Sequence, residues 1–101
     1  MSTTFMNGEE LIEKVEQALA DYDPRRIDHP TAAKAAVLIL IHKRDGTPHV
    51  IFTERTNHVE HHKGQMCFPG GACDDVDIDY EETALRETFE EIGVSSEHVR
   101  V

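Results

Sequence analysis

The feature that most constrains the fold is the stretch Gly70–Val94, in which a glycine pair, a short acidic loop and a helical pattern follow one another. Within it, Arg86–Glu91 reads RETFEE, and the helical period places Glu87, Glu90 and Glu91 on one face. Apolar residues at helical spacing on the opposite side predict a core stripe, formed by Leu85, Phe89 and Ile92. The sequence therefore predicts a helix that packs through one side and presents three carboxylates on the other.

Two interpretations of this acidic face are open, a solvated helix surface and a binding site for a divalent cation. Arg86 is the only Lys or Arg on the helix, and it can pair with Glu90 four residues later. Like charges at that spacing destabilise a helix by roughly 0.2–0.5 kcal/mol per pair, and a bound cation would remove this repulsion. Because hard cations prefer oxygen ligands and often bridge carboxylates to phosphates, the predicted cofactor is Mg²⁺ or Mn²⁺.

Length and charge limit the remaining possibilities. A chain of 101 residues forms at most one domain, and its formal net charge of −10 repels nucleic acids and anionic membranes. The same charge repels phosphorylated substrates, so an enzyme of this composition that acts on them requires a metal. The polar N-terminus lacks a signal-peptide pattern, and the two cysteines form no disulfide framework. We therefore expect a soluble cytoplasmic protein.

Local patterns predict the elements that precede the acidic helix. An amphipathic helix runs to about Asp21, and a proline-punctuated linker follows it. The apolar segment Ala33–His42 predicts one buried strand, and Asp45-Gly46 predicts a hairpin turn into a returning strand at His49–Arg55. A short strand is expected within Gln65–Phe68.

Capping signals set the bounds of the acidic helix. Asp79 followed by Glu82 forms a capping box, which predicts a helix start near Tyr80. Gly93 is well placed as the residue that ends the helix. The residues Val99–Val101 are expected to open a further strand.

Histidines and cysteines offer weaker alternatives. A zinc site from His61, His62, Cys67 and Cys73 does not match the usual ligand spacing. The loop histidines His58, His61 and His62 could supply a general base. Solvent-facing side chains are the simpler interpretation of these residues.

The acidic helix and the loop before it resemble the signature of a known family. Arg86–Gly93 matches the pattern Arg-Glu-x-x-Glu-Glu-x-Gly of the Nudix box, a loop–helix signature of pyrophosphohydrolases, and Gly71 matches its leading glycine. The interval between them is one residue longer than the general pattern, and Asp77 stands where Glu is usual. The resemblance covers about residues 33–101 and leaves the leading helix outside.

The segment before the box resembles the coenzyme A pyrophosphatase branch of that superfamily. The matching residues are Thr53, Arg55, Gly64, Phe68, Pro69, Gly70 and Gly71. Glu60 departs from the pattern, because the branch usually has an arginine there.

The resemblance implies an α/β (α+β) fold, a Nudix-like mixed sheet sandwiched between helices and truncated after the box helix. Residues 1–30 would form a helix and linker, and residues 31–101 the N-terminal portion of a Nudix domain with the full box. An open sheet edge would then favour association between copies of the chain, so a homo-oligomer is one possibility.

The resemblance also implies the site. Glu87, Glu90 and Glu91 would bind Mg²⁺ or Mn²⁺, with Glu87, Glu90 and Arg86 as the catalytic residues. Arg86 would orient the glutamates through a salt bridge, most simply to Glu90. Arg55, Gly70 and Gly71 would contact a small-molecule nucleotide-type substrate.

The implied reaction is metal-dependent hydrolysis of a pyrophosphate bond in a nucleoside diphosphate linked to another moiety, with coenzyme A or a derivative as the favoured substrate. One alternative keeps the reaction and takes ADP-ribose, NADH or a nucleoside triphosphate as substrate. Another is a catalytically silent Nudix-like module that binds a nucleotide or a protein.

Overall fold

The computed structural model describes residues 8–54 and 64–101. Two α-helices and six short strands make up this part of the chain, which confirms the mixed α/β class. The helices are α1 (Gly8–Ala20) and α2 (Tyr80–Ile92), and the strands are β1 (Ala35–Val37), β2 (Ile41–Arg44), β3 (Thr47–Val50), β4 (Thr53–Glu54), β5 (Met66–Cys67) and β6 (Gly70–Ala72). All described ladders are antiparallel and two-stranded, β1 with β6, β2 with β3 and β4 with β5.

The chain divides into two compact units, and the first contains α1 and the β2–β3 hairpin. Asp45 and Gly46 have φ values of 52° and 78°, as a two-residue type I′ turn requires, so the predicted hairpin turn is confirmed. The Gly8 N–H donates to the Gly46 carbonyl at 2.9 Å, and Lys43 pairs with Glu9 at 3.1 Å. These two contacts hold the start of α1 against the hairpin turn.

The second unit places α2 against the β1–β6 ladder. Thr83, Ala84 and Thr88 are the buried residues of this helix. Thr88 donates its hydroxyl hydrogen to the Ala84 carbonyl at 2.7 Å, so burying this hydroxyl leaves no polar group unpaired. The buried face of the helix is thus formed by small side chains.

The predicted core stripe of α2 is therefore wrong in its position. Phe89 is 56% exposed, and Leu85 and Ile92 are only half-buried. Within the described residues, the buried face of the helix is instead the one formed by Thr83, Ala84 and Thr88, because α2 packs against the β1–β6 ladder through that side.

The predicted strands differ from the observed ones in three places. The apolar segment Ala33–His42 is two strands, because the pairing partner changes from β6 to β3 after Val37. The returning strand also divides, into β3 and β4. The predicted burial of the first strand is wrong, since Val37 and Ile39 are 60% and 59% exposed.

Other local predictions can be compared directly. The strand expected within Gln65–Phe68 is confirmed as β5, while Val99–Val101 forms no strand. The helix predicted to run to about Asp21 is confirmed. Asn7, which with Glu10 matches a capping box in the sequence, lies outside the described residues. In the part of the chain that the structure describes, no helix is both long and apolar enough to cross a bilayer.

Both ends of α2 are capped as the sequence predicts. The Asp79 side chain accepts a hydrogen bond from the Glu82 N–H at 2.8 Å. The Glu82 side chain accepts in return from the Ile78 N–H at 3.2 Å, one residue before the usual partner in a capping box. Gly93 has a φ of 73° and donates its N–H to the Phe89 carbonyl at 2.9 Å. Since both ends are capped, the turn that carries the glutamates is held in place.

Candidate active site

The centre of the site is a two-pronged ion pair between Arg86 and Asp77. Arg86 Nε donates to Asp77 Oδ1 and one terminal nitrogen donates to Asp77 Oδ2, both at 2.9 Å. The Asp77 side chain is only 2% exposed, and that of Arg86 is 25% exposed. Such bidentate geometry fixes the plane of the guanidinium group as well as its position. The ion pair therefore attaches the acidic loop to the first half of α2.

Two further donors hold the Asp77 carboxylate. Oδ2 accepts from the Asp74 N–H and from the Thr83 hydroxyl, each at 2.9 Å. The hydrogen bonds from Arg86, and then those from Asp74 and Thr83, hold the pKa of Asp77 well below its usual range, although burial acts in the opposite direction. The same ion pair raises the pKa of Arg86 above its usual value. Asp77 is thus a charged structural anchor.

The remaining hydrogens of Arg86 reach the predicted metal ligands and β6. One terminal nitrogen donates to Glu87 at 3.0 Å and to Glu90 at 3.2 Å, and the other donates to the Ala72 carbonyl at 3.0 Å. The expected salt bridge to Glu90 is therefore present, but it is one of three ion pairs made by Arg86. The Arg86 guanidinium group, which Asp77 orients, thus bonds to both Glu87 and Glu90.

Glu87 and Glu91 lie against the glycine pair of β6. A Cβ atom on Gly71 would lie 2.6 Å from Glu87 Cδ, so the glycine leaves the space that this carboxylate fills. The Gly70 N–H donates to Glu91 Oε2 at 3.4 Å. The missing side chain of Gly71 thus leaves room for Glu87 of α2, and that of Gly70 leaves room for the backbone of β1. A substrate contact at Gly70 and Gly71 stays a prediction.

Alanine at the two glycines is expected to have different effects. At Gly70 a Cβ would lie 2.6 Å from Val37 Cα and against the Ala36 carbonyl, which are backbone atoms, so we expect a loss of about 1–3 kcal/mol in unfolding free energy. At Gly71 it would meet a side chain that can move, so the loss should be smaller. Urea unfolding of both variants measures the difference, and equal losses would contradict this account.

The donor set suits a hard divalent cation. Glu87, Glu90 and Glu91 offer only carboxylate oxygens, which are the ligands that Mg²⁺ and Mn²⁺ prefer. In residues 8–54 and 64–101, no three acidic, histidine or cysteine side chains are already grouped as a metal site. Since Arg86 contacts two of the carboxylates, metal binding would require them to exchange a guanidinium hydrogen bond for the ion. Their assignment as ligands stays a prediction.

The local charge explains why a metal would be needed. Between Gly70 and Val99 the sequence contains ten acidic residues, and Arg86 is its only Lys or Arg. Arg86 is already bonded to three carboxylates, so it has little positive charge to offer an incoming phosphate. A pyrophosphate would therefore meet a strongly repulsive surface unless cations bind first.

Some predicted site residues cannot be placed. Arg55, Glu60 and the three loop histidines His58, His61 and His62 lie outside the described residues. The two cysteines are free thiols, and Cys67 Sγ lies 3.3 Å from the Thr53 hydroxyl oxygen. The residue whose role the sequence did not show is Asp77, noted only as a departure from Glu. It lies nine residues before Arg86, and this spacing alone does not reveal the contact, because the intervening loop has to turn back on itself.

The described residues form an α/β arrangement in which an acidic loop leads into an acidic helix, as expected for a Nudix-type loop–helix motif. The NUDIX domain profile matches residues 32–101, which is most of the chain. The chain therefore belongs to the Nudix family, as the resemblance of its box indicated.

Individual relatives agree with this membership. The protein called Nudix hydrolase 3 from Caenorhabditis elegans is 40% identical over 94 residues, covering 92% of this chain and 39% of that protein. The mitochondrial coenzyme A diphosphatase NUDT8 from Homo sapiens is 47% identical over 70 residues, 66% of this chain and 30% of that protein. The peroxisomal coenzyme A diphosphatase NUDT7 from Mus musculus is 40% identical over 76 residues, 75% and 32% of the two chains.

Two facts follow from these alignments. The chain spans about two fifths or less of the length of each of these relatives. The family profile begins at residue 32, as the expected extent of about residues 33–101 predicts, while the alignment with the Caenorhabditis elegans protein covers 92% of the chain and so also includes most of α1.

Proposed function

We propose that the protein hydrolyses a pyrophosphate bond in a nucleoside diphosphate linked to another moiety, and that coenzyme A or a derivative is its substrate. The observation that carries the proposal is the linkage of Glu87 and Glu90 through Arg86 to the buried Asp77. Two of the relatives named above are coenzyme A diphosphatases, which favours this substrate class.

In this proposal the residues of the box act mainly through position and charge. Asp77 orients Arg86, and Arg86 sets the positions of Glu87 and Glu90 before any ligand binds. Glu87 and Glu91 approach from the same side of α2, next to the glycine pair. A bound Mg²⁺ or Mn²⁺ would neutralise phosphate oxygens and lower the pKa of a water molecule that attacks phosphorus. Glu90 would complete the ligand set directly or through water.

A product assay tests the proposal and separates it from its alternatives. The protein is incubated with coenzyme A, ADP-ribose or NADH in the presence of Mg²⁺ or Mn²⁺. The products are separated by chromatography and identified by mass spectrometry. We expect coenzyme A to give two products, each carrying one phosphate of the broken bridge, and a chelator to abolish the reaction.

The other outcomes are equally informative. Turnover of ADP-ribose or NADH without turnover of coenzyme A would keep the reaction and replace the substrate, in line with the departure at Glu60. Absence of turnover on every substrate, in protein shown to be folded by circular dichroism, would contradict the proposal and favour a silent binding module.

A further inference from the structure

A pair of histidines on the β2–β3 hairpin has no part in the proposed reaction. His42 and His49 occupy directly opposite positions in the antiparallel ladder. Their ring centroids are 5.6 Å apart with planes tilted by 35°, and both side chains are exposed. Opposite residues of an antiparallel pair project to the same face of the ladder. The two imidazoles therefore form a close and accessible pair.

The separation of the rings suits one shared metal ion. Zinc bonds an imidazole nitrogen at about 2.0–2.1 Å, which puts the ion roughly 3.2 Å from the ring centroid. Two rings bound at an angle near the tetrahedral value then have centroids about 5–5.6 Å apart. The observed 5.6 Å lies at the upper end of this range, so small rotations about the side-chain bonds suffice for chelation.

The hairpin holds the two histidines in register. The two-residue turn at Asp45-Gly46 sets the pairing, and the hydrogen bond from Gly8 to Gly46 fastens that turn to α1. A second imidazole held this way acts at a high effective concentration, because little chain entropy is lost when it joins the ion. The ladder thus supplies a preorganised two-ligand site.

A cationic side chain shares the face of the histidine pair. Lys43 projects to the opposite face by strand alternation, and its ammonium group pairs with Glu9 at 3.1 Å. Arg44 lies two residues after His42 and hence on the same face, where its charge opposes a cation. Ligand chemistry must therefore provide the affinity, because the local electrostatic field does not.

We propose that His42 and His49 form a two-imidazole site for a late first-row divalent ion such as Zn²⁺, Ni²⁺ or Cu²⁺, with water completing the coordination sphere. Imidazole nitrogen suits these ions, whereas Mg²⁺ prefers oxygen. The site is thus chemically different from the glutamates of α2, and its existence does not depend on the proposed hydrolysis. Affinity should follow the order Co²⁺, Ni²⁺, Cu²⁺ from weakest to tightest.

Titration calorimetry of the whole protein with Ni²⁺ tests the site. At about pH 8 and in excess Mg²⁺, we expect one binding event that depends on both histidines. His42→Gln or His49→Gln should weaken that event about 100-fold, because a single imidazole loses the chelate advantage. His98→Gln removes an exposed imidazole elsewhere and should leave the event unchanged.

A second measurement does not depend on any variant. Substoichiometric Cu²⁺, a paramagnetic ion, should broaden the ring resonances of His42 and His49 together, ahead of those of His29 and His98. Unchanged Ni²⁺ affinity and stoichiometry in both hairpin variants would overturn the proposal. Broadening that begins at other histidines and reaches this pair only later would also overturn it.

Discussion

Glu87→Gln is expected to lower metal-dependent hydrolysis by about 10³-fold, equivalent to about 4 kcal/mol of transition-state stabilisation. The amide keeps the shape of the side chain and removes the negative charge that would bind the cation. Glu87 is also the carboxylate that fills the space left by Gly71, so its position is set by packing as well as by Arg86. The measurement is kcat as a function of Mg²⁺ or Mn²⁺ concentration.

The matched control is Glu81→Gln, which removes the same charge from the first turn of the same helix, at an exposed position. It should retain nearly full activity. Circular dichroism should show both variants to be folded. Full activity of Glu87→Gln, or an equal loss in both variants, would contradict the assignment of Glu87 as a metal ligand.

Asp77→Asn is expected to be the most destabilising single change in the box, with a fall of roughly 10 °C in Tm at neutral pH. The nearly buried carboxylate accepts hydrogen bonds from four donors, and an amide can accept through only one of its two ends. Arg86 would lose its oriented partner, so activity should fall as well. Thermal unfolding followed by circular dichroism measures the effect.

The pH dependence of this Tm difference distinguishes the loss of the Asp77 charge from a poor fit of the asparagine side chain. Because the pKa of Asp77 is lower in the folded state than in the unfolded state, its charge stabilises the protein above about pH 4, the unfolded value. That contribution is lost as pH falls toward the lower folded pKa. The Tm difference between wild type and Asp77→Asn should therefore be largest from about pH 5 to 8 and shrink below pH 4.

Asp75→Asn provides the control for this series, since Asp75 is an exposed carboxylate in the same loop. Its Tm should stay close to that of the wild type at every pH. A Tm difference for Asp77→Asn that remains constant down to pH 2 would show that shape, and not charge, makes Asp77 important.

Local features of the fold were predictable because their causes are local. Asp79 and Gly93 bound α2 through hydrogen bonds to residues three or four positions away, and the Asp45-Gly46 turn depends on the φ values of two adjacent residues. The one-face arrangement of Glu87, Glu90 and Glu91 follows from the helical period alone. Such features can be predicted without knowing which other parts of the chain pack against them.

The partner of Arg86 depended on tertiary structure. From the helix alone Glu90 is the evident choice, because it lies one turn away. The loop from Cys73 to Asp79 turns back on itself and places the Asp77 carboxylate next to the guanidinium group as a further partner. The Asp74 N–H and the Thr83 hydroxyl also donate to this carboxylate, and the Asp77 N–H donates to the Asp74 carbonyl. Loop conformations of this kind depend on several contacts at once, so spacing does not predict them.

The sequence was sufficient to identify the family, the bounds of the box helix, the hairpin turn and the carboxylates that share a face, since each depends on short-range geometry or on a matched motif. The face of the helix that packs could be learned only from the folded chain. Apolar periodicity favoured Leu85, Phe89 and Ile92, yet Thr83, Ala84 and Thr88 are buried, because the β1–β6 ladder lies against that side of the helix. The absence of a side chain at Gly71 leaves the space that Glu87 fills, within reach of the arginine that Asp77 holds.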